Sequence, residues 1–238
     1  MYLRKSIALL LVLLLALSFS FLIKSFDHLN ALLAGGIGDG LKARYAENNI
    51  QVLAWHNRDV RNFSSNKPVA TPADVAGMKL RLPGMTTYVE AWSYLNATST
   101  TVSMSELYTA LQTGVAEASE GGYEQMTTLK LYEVQDHVSE TQHVFEFVGL
   151  FISKELYDSM SEAQQKVLND CAVECMAYAD QLSEEKRADY KKQCVDGGMA
   201  PVEVDREAFV EALSEFHKSQ FGTKWTGTTY DEVMSYAK

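Results

Sequence analysis

Two arginines are the residues of this chain best suited to hold an anion. Arg81 stands near the end of the short run Lys79–Leu82, directly before a Pro-Gly turn, and Arg61 follows a second apolar run at 50–55. A guanidinium stays charged at any working pH, and its paired N–H donors match the two oxygens of a carboxylate. The two positions therefore indicate binding of an organic acid. The alternative of two surface arginines paired with nearby acids stays open at this point.

The overall charge makes these two cations stand out. The chain has 238 residues, with 21 Lys and Arg against 31 Asp and Glu and a net charge of -10. Nucleic-acid binding depends on clustered Lys and Arg. The acids are spread along the whole length, so a nucleic-acid partner is excluded.

The motifs of enzymes and metal sites do not occur in the sequence. It contains no Gly-x-Ser-x-Gly elbow, no His-Glu-x-x-His and no Walker loop. The glycines at 35–40 follow a helical pattern rather than a strand, which predicts a helix stop and restart instead of a phosphate loop. Glu117 and Glu120 form a close acidic pair that we interpret as structural. We therefore expect no enzyme activity, no metal and no cofactor.

The cysteines favour packing over chemistry. Cys171 and Cys175 are four residues apart in a strongly helical stretch, a spacing that places them on one face but disfavours a disulfide. With Val167, Ala179 and Leu182 they predict a buried apolar face of a long helix.

The N-terminus resembles a targeting segment. Arg4 and Lys5 precede an uncharged apolar run at 6–23. Residues 1–20 are therefore predicted to be a signal peptide, and the run is also long enough to remain as a membrane anchor.

Strand and helix patterns alternate along the rest of the chain, which predicts an α/β fold. Two capping boxes, at 103–106 and 161–164, predict helix starts. The second opens a helix over about 162–196, roughly 50 Å long at about 1.5 Å per residue and so long enough to span two lobes. The predicted strands are 50–55, 79–82, 98–102, 138–142, 144–153 and 202–204; the other predicted helices are 26–34, 38–47, 85–95, 104–113, 206–221 and 230–237.

Six segments follow one another along the chain, namely 21–28, 52–55, 61–62, 67–69, 77–81 and 105–114. Together, in this order and spacing, they resemble the DctP-type periplasmic solute-binding subunits of tripartite ATP-independent periplasmic (TRAP) transporters. The resemblance covers the chain from about Phe21 onward. It implies a type II periplasmic-binding-protein fold, with a ligand cleft between two α/β lobes and a long helix across both.

The resemblance also implies a binding site. Arg81 would be the principal carboxylate clamp, Arg61 a second cationic contact, and Glu120 an acid near the cleft. Many members carry an asparagine where this chain has Gly121, so that hydrogen bond is absent or comes from elsewhere. The aromatic residues nearest these positions include Tyr88 and Trp55, which would wall the cleft.

One departure from the family lies at the front of the chain, where the apolar segment runs straight into the later part of the family pattern. The expected fold is therefore a solute-binding domain over residues 21–238 with an incomplete first lobe. The expected function is capture of a small organic acid in the periplasm and its delivery to the small and large TRAP membrane subunits. The alternative is a truncated, membrane-tethered remnant without transport activity.

Overall fold

The computed structural model of the protein describes residues 19–237. The predicted signal or anchor segment lies outside these residues except for its last two, Phe19 and Ser20, which are both buried. Within 19–237, no helix combines the length and the apolar character needed to cross a membrane.

The described chain alternates helices and strands, as the sequence predicts. The helices are α1 (Phe26–Ala34), α2 (Gly36–Ala46), α3 (Thr86–Tyr94), α4 (Leu107–Gln112), α5 (Tyr123–Thr128), α6 (Lys154–Asp158), α7 (Glu162–Asp196), α8 (Arg206–Gln220) and α9 (Tyr230–Ser235). The strands are β1 (Ile50–Ser65), β2 (Lys79–Leu82), β3 (Thr98–Thr101), β4 (Ala118–Gly121), β5 (His137–Ser153) and β6 (Ala200–Val202). Short 3₁₀ turns occupy Pro72–Val75, Met104–Glu106 and Leu131–Glu133.

These strands form one mixed sheet in the order β3-β2-β4-β1-β5-β6. Strand β2 pairs in parallel with β3 on one side and β4 on the other, so the chain changes direction across the sheet at β2. The carboxyl ends of these strands share one edge, and such a switch point in an open α/β sheet is where ligands bind. Strand β1 runs antiparallel to β4 and pairs Asn62 with Gly121, which brings Arg61 to the same edge.

Several predicted elements differ from the observed ones. Strand β1 extends ten residues past the predicted end at 55, and the two strands predicted at 138–142 and 144–153 are one strand, bent at Gln142 where φ is 44°. Strand β4 was not predicted, because Ala-Ser-Glu-Gly has low strand propensity and becomes a strand only between β1 and β2. The prediction of a capping box at 103–106 is also wrong. The Ser103 hydroxyl donates to the Glu106 carboxylate instead of accepting a hydrogen bond from a backbone N–H of the helix.

The long helix α7 has the predicted bounds, and its capping box between Ser161 and Gln164 is confirmed. Its predicted buried face is wrong. Its buried residues are Ala172 and Cys194, whereas Cys171 and Cys175 are exposed. The predicted face is largely exposed at its other positions too, namely Val167 and Leu182, while Ala179 is half-buried.

The reason for this difference is that α7 docks on the sheet through polar contacts. Asp180 Oδ1 lies 2.7 Å from His56 Nδ1 and accepts a hydrogen bond of 2.7 Å from the Asn57 backbone N–H. Two and three turns further along the helix, Arg187 pairs with Asp59 at 3.3 Å and Lys191 with Glu140 at 2.7 Å. Because charged side chains hold this face of α7 against the sheet, the pattern of apolar residues in the sequence could not identify it as the buried face.

Candidate ligand-binding site

Arg61 is held by two carboxylates. Its Nη2 donates to Glu120 Oε1 at 2.8 Å while its Nε donates to the other oxygen of the same carboxylate, and its Nη1 donates to Glu146 Oε1 at 2.7 Å. The Arg61 side chain is 11% exposed and that of Glu120 is fully buried. This bidentate geometry fixes the guanidinium in place and offsets its charge. The charge of Arg61 is therefore offset by these two internal partners, and its role as a second cationic contact for a ligand stays a prediction.

A buried histidine completes this network. His143 Nε2 lies 3.1 Å from Glu120 Oε2, and its Nδ1 lies 2.7 Å from the Thr141 hydroxyl. Burial lowers the pKa of His143 more than Glu120 raises it, so the ring is neutral, with Nε2 donating and Nδ1 accepting. Burial alone would raise the pKa of Glu120, but Arg61 and His143 together lower it to about 2. The Glu120 carboxylate is thus ionised and committed to internal partners.

Tyr88 lies beside the same network. The Arg61 guanidinium carbon is 5.5 Å from the centre of the Tyr88 ring, and Tyr88 is buried. Burial raises the pKa of the Tyr88 hydroxyl, so it stays protonated. The ring supports Arg61 through a cation–π contact.

Arg81 has a different environment. It is 4% exposed, its Nε donates to the Val102 carbonyl at 3.0 Å, and its buried Nη1 has no hydrogen-bond partner within residues 19–237. No described carboxylate forms an ion pair with it. Burial lowers the pKa of Arg81, and Glu120 opposes this only in part. A buried cation with an unsatisfied donor is energetically costly unless an anion arrives.

Gly121, the last residue of β4, is on the same face of the sheet as Ser119, the register partner of Arg81. A Cβ atom at Gly121 would lie 2.5 Å from Gln125 Oε1, so the Gln125 carboxamide fills the space of a side chain at this position. Next to it is a cavity of about 280 Å³. Its lining residues are Arg58, Asp59, Arg61, Met104, Gly122, Glu124, Gln125, Thr128, Leu129 and Glu146.

The structure thus gathers most of the predicted site residues and separates one. Arg61, Glu120 and Tyr88 are in contact, and Gly121 with Arg81 lies at the same sheet edge. Trp55 lies elsewhere, packed against Phe147 and Phe151 and lining another cavity beside α7. Because β1 is extended throughout, Trp55 lies roughly 20 Å along the strand from Arg61, and its role as a wall of the cleft stays a prediction. No group of three or more acidic, His or Cys side chains in the described part of the chain could hold a metal.

Comparison with known proteins identifies the family. Residues 9–224 match the family model described as bacterial extracellular solute-binding protein, family 7 (DctP). The chain belongs to this family. It is similar to the solute-binding protein RD1_1052 of Roseobacter denitrificans, with 32% identity over 193 residues that cover 81% of this chain and 59% of that protein. It is also similar to the 2,3-diketo-L-gulonate-binding periplasmic protein YiaO of Escherichia coli, with 31% identity over 84% of this chain and 62% of that protein.

Solved structures agree with this assignment. A TRAP periplasmic solute-binding protein of Ochrobactrum anthropi superposes with a TM-score of 0.87 at 27% identity, over 93% of this chain and 70% of that one. RD1_1052 with bound L-galactonate gives 0.76 at 29% identity, over 93% and 73%. The predicted DctP resemblance and α/β periplasmic-binding-protein fold are confirmed, while the division into lobes and the domain boundaries stay predictions. The DctP-family chain spans about 60% of the length of the curated relatives that it matches.

Two site residues were not predicted from the sequence as ligand-site residues. Glu146 is 85 positions from Arg61 in the chain, and its role depends on the β1–β5 register. Gln125 follows Gly121 by one turn. The available signal in the sequence was Gly121 itself, because a glycine where a side chain is expected leaves space that the nearby Gln125 side chain fills.

Proposed function

We propose that this DctP-family chain captures a small organic acid through Arg81 and performs no chemistry on it. The observation that carries this proposal is the buried Arg81 Nη1, which has no hydrogen-bond partner within 19–237. A ligand carboxylate would neutralise the Arg81 charge and also accept a hydrogen bond from Nη1, whereas a water molecule could only accept the hydrogen bond.

The surrounding structure supports the same assignment. Strand β2 fixes the Arg81 backbone between two parallel neighbours, and the Val102 carbonyl orients its Nε. A guanidinium held by a rigid element keeps its geometry before the ligand arrives, which lowers the cost of binding. The cavity beside Gly121 lies at the same edge of the sheet, and Arg81 itself is not among its lining residues.

The site of action and the partners are part of the proposal. We infer that the chain acts in the periplasm and delivers its ligand to the small and large membrane subunits of a TRAP transporter. Membership of the DctP family supports this inference, as do relatives such as YiaO, which is named as a periplasmic protein.

Isothermal titration calorimetry with a panel of small carboxylates tests the proposal. Arg81→Met keeps the length of the side chain but removes its charge and donors. We expect it to weaken carboxylate binding by about 2–4 kcal/mol, or about 30- to 1,000-fold. Lys79→Ala, which removes an exposed cation from the same strand, is the matched control and should leave the affinity unchanged. Equal affinities of the wild type and a folded Arg81→Met variant would refute the proposal.

A further inference from the structure

The outer edge of β5, on the side away from β1, is open over most of its length. Strand β6 pairs with β5 only at 137–139, and the Phe21 backbone N–H donates to the His143 carbonyl. From 144 to 153, no backbone group within residues 19–237 pairs with β5 except those of β1. An unpaired strand edge of this kind is a template for pairing with another strand.

The β1–β5 register shows which backbone groups face this open edge. Asn57 is the register partner of Phe147, yet its N–H points away from β5 and donates to Asp180 at 2.7 Å. Partners of this kind exchange no backbone hydrogen bonds, so the N–H and C=O of Phe147 also point outward. The orientation repeats at every second residue, which places the backbone groups of Gly149 at the open edge and agrees with the outward carbonyl of His143.

The segment at this edge lacks the features that protect exposed strands in other proteins. Residues 144–153 read Val-Phe-Glu-Phe-Val-Gly-Leu-Phe-Ile-Ser, without Lys, Arg or Pro. Their one charged residue, Glu146, already pairs with Arg61 at 2.7 Å. Val148 and Phe151 are both 42% exposed. A run of six uncharged residues with high strand propensity favours pairing between identical strands.

The open stretch is also complementary to itself. An antiparallel pairing about a two-fold axis at Val148 would place Val148 opposite Val148 of the second copy, and Phe147 opposite Gly149. Phe147 and Gly149 both turn their backbone groups outward, as a hydrogen-bonded pair requires. Glu146 would lie opposite Leu150, so no like charges would face each other. The axis lies near the middle of the stretch 144–153 and therefore uses nearly all of it.

We propose that this chain pairs with a second copy of itself through the outer edge of β5, with Val148 at the two-fold axis. The six-stranded sheet then continues across the dimer. A single strand pair is smaller than a standard interface of about 800 Å² per partner, so we expect a dissociation constant of about 10–100 µM. This inference goes beyond the proposed function and does not depend on it, since β4 and β1 separate β5 from the strand that carries Arg81.

Sedimentation velocity of the full chain, at concentrations below and above this range, tests the proposal. The wild type should change from monomer to dimer. Val148→Lys places two like charges at the axis and should weaken the dimer about tenfold or more. Val167→Lys is the matched control because it changes another exposed valine, beside the apolar cavity on α7, and should leave the dimer unchanged. Because Val148 is exposed, Val148→Lys should keep the circular dichroism spectrum of the wild type.

Three results would overturn the proposal. The first is a wild type that stays monomeric at the highest concentration. The second is an association that Val148→Lys leaves intact, because the contact would then lie on α7 if Val167→Lys abolishes it, or at another surface if neither variant does. The third is equal weakening by both variants, which would show a general effect of the added charge.

A cysteine at the axis tests the register. The Cys171→Ser/Cys175→Ser background removes the two exposed thiols. In it, Val148→Cys should form a disulfide-linked dimer under mild oxidation, since directly opposed residues of a non-hydrogen-bonded pair have Cα atoms about 4.5 Å apart. Val167→Cys in the same background should remain monomeric on a non-reducing gel. A dimer that Val148→Cys does not cross-link would overturn the axis at Val148.

Discussion

The Glu120→Gln substitution provides a quantitative test of the buried network that shapes the site. The change preserves the size of the side chain but removes the charge that offsets Arg61. The pKa of Glu120 is lowered from its ordinary value of 4.5 to about 2. At about 1.36 kcal/mol per pKa unit, this corresponds to about 3 kcal/mol of stability at neutral pH. Breaking a buried ion pair by removing one partner costs a similar 3–5 kcal/mol, roughly.

The free energy of unfolding measured by urea denaturation at pH 7 should therefore fall by about 3 kcal/mol in Glu120→Gln. Glu124→Gln, which alters a half-exposed carboxylate at 3.8 Å from Arg58, is the control and should cost less than about 1 kcal/mol. Because the folded-state pKa is lowered, the stabilisation is present above pH 4.5 and is lost as the pH falls toward 2. The difference between wild type and Glu120→Gln should shrink over that range. A loss below about 1 kcal/mol at pH 7 would refute the assignment of Glu120 as the buried counterion of Arg61.

Three further predictions concern other parts of the chain. The buried His217 ring donates a hydrogen bond from Nε2 to the Ser20 carbonyl, and burial lowers the pKa of His217 from 6.5 to about 4. The free energy of unfolding should therefore decrease by about 3 kcal/mol as the pH falls from 6.5 to about 4. In pH-dependent urea denaturation, His217→Gln should flatten this slope, and an unchanged slope would contradict the prediction. Cys171 and Cys175 should react with a thiol reagent in the native protein, while Cys194, which is buried and has a raised pKa, should react only after unfolding; a native count other than two would show the placement of α7 to be wrong. Trp55→Phe should lower the free energy of unfolding by about 1–3 kcal/mol through lost packing and leave the carboxylate affinity unchanged. Weaker carboxylate binding by this variant in calorimetry would show that Trp55 belongs to the binding site.

The sequence predicts the elements whose signals are local. Strand β2 with Arg81 and the turn after it, and helix α7 with its cap at Ser161, follow from propensity and capping within a few residues. The family pattern adds the role of Arg81. These features need no knowledge of distant neighbours.

The remaining features depend on residues that are far apart in the chain. The pairing of Arg61 with Glu120 joins positions 59 residues apart and is set by the β1–β4 register. Strand β4 itself exists because its neighbours provide hydrogen bonds. The buried side of α7 was predicted wrongly because ion pairs such as Arg187 with Asp59 orient the helix, and an apolar period carries no information about them.

A crystal structure with the tightest-binding carboxylate of the calorimetry panel tests the central claim most directly. The account predicts that the ligand carboxylate lies about 2.7–2.9 Å from Arg81 Nη1, while Arg61 keeps its contacts with Glu120 and Glu146. A carboxylate bound away from Arg81, with Nη1 still lacking a partner, would contradict it.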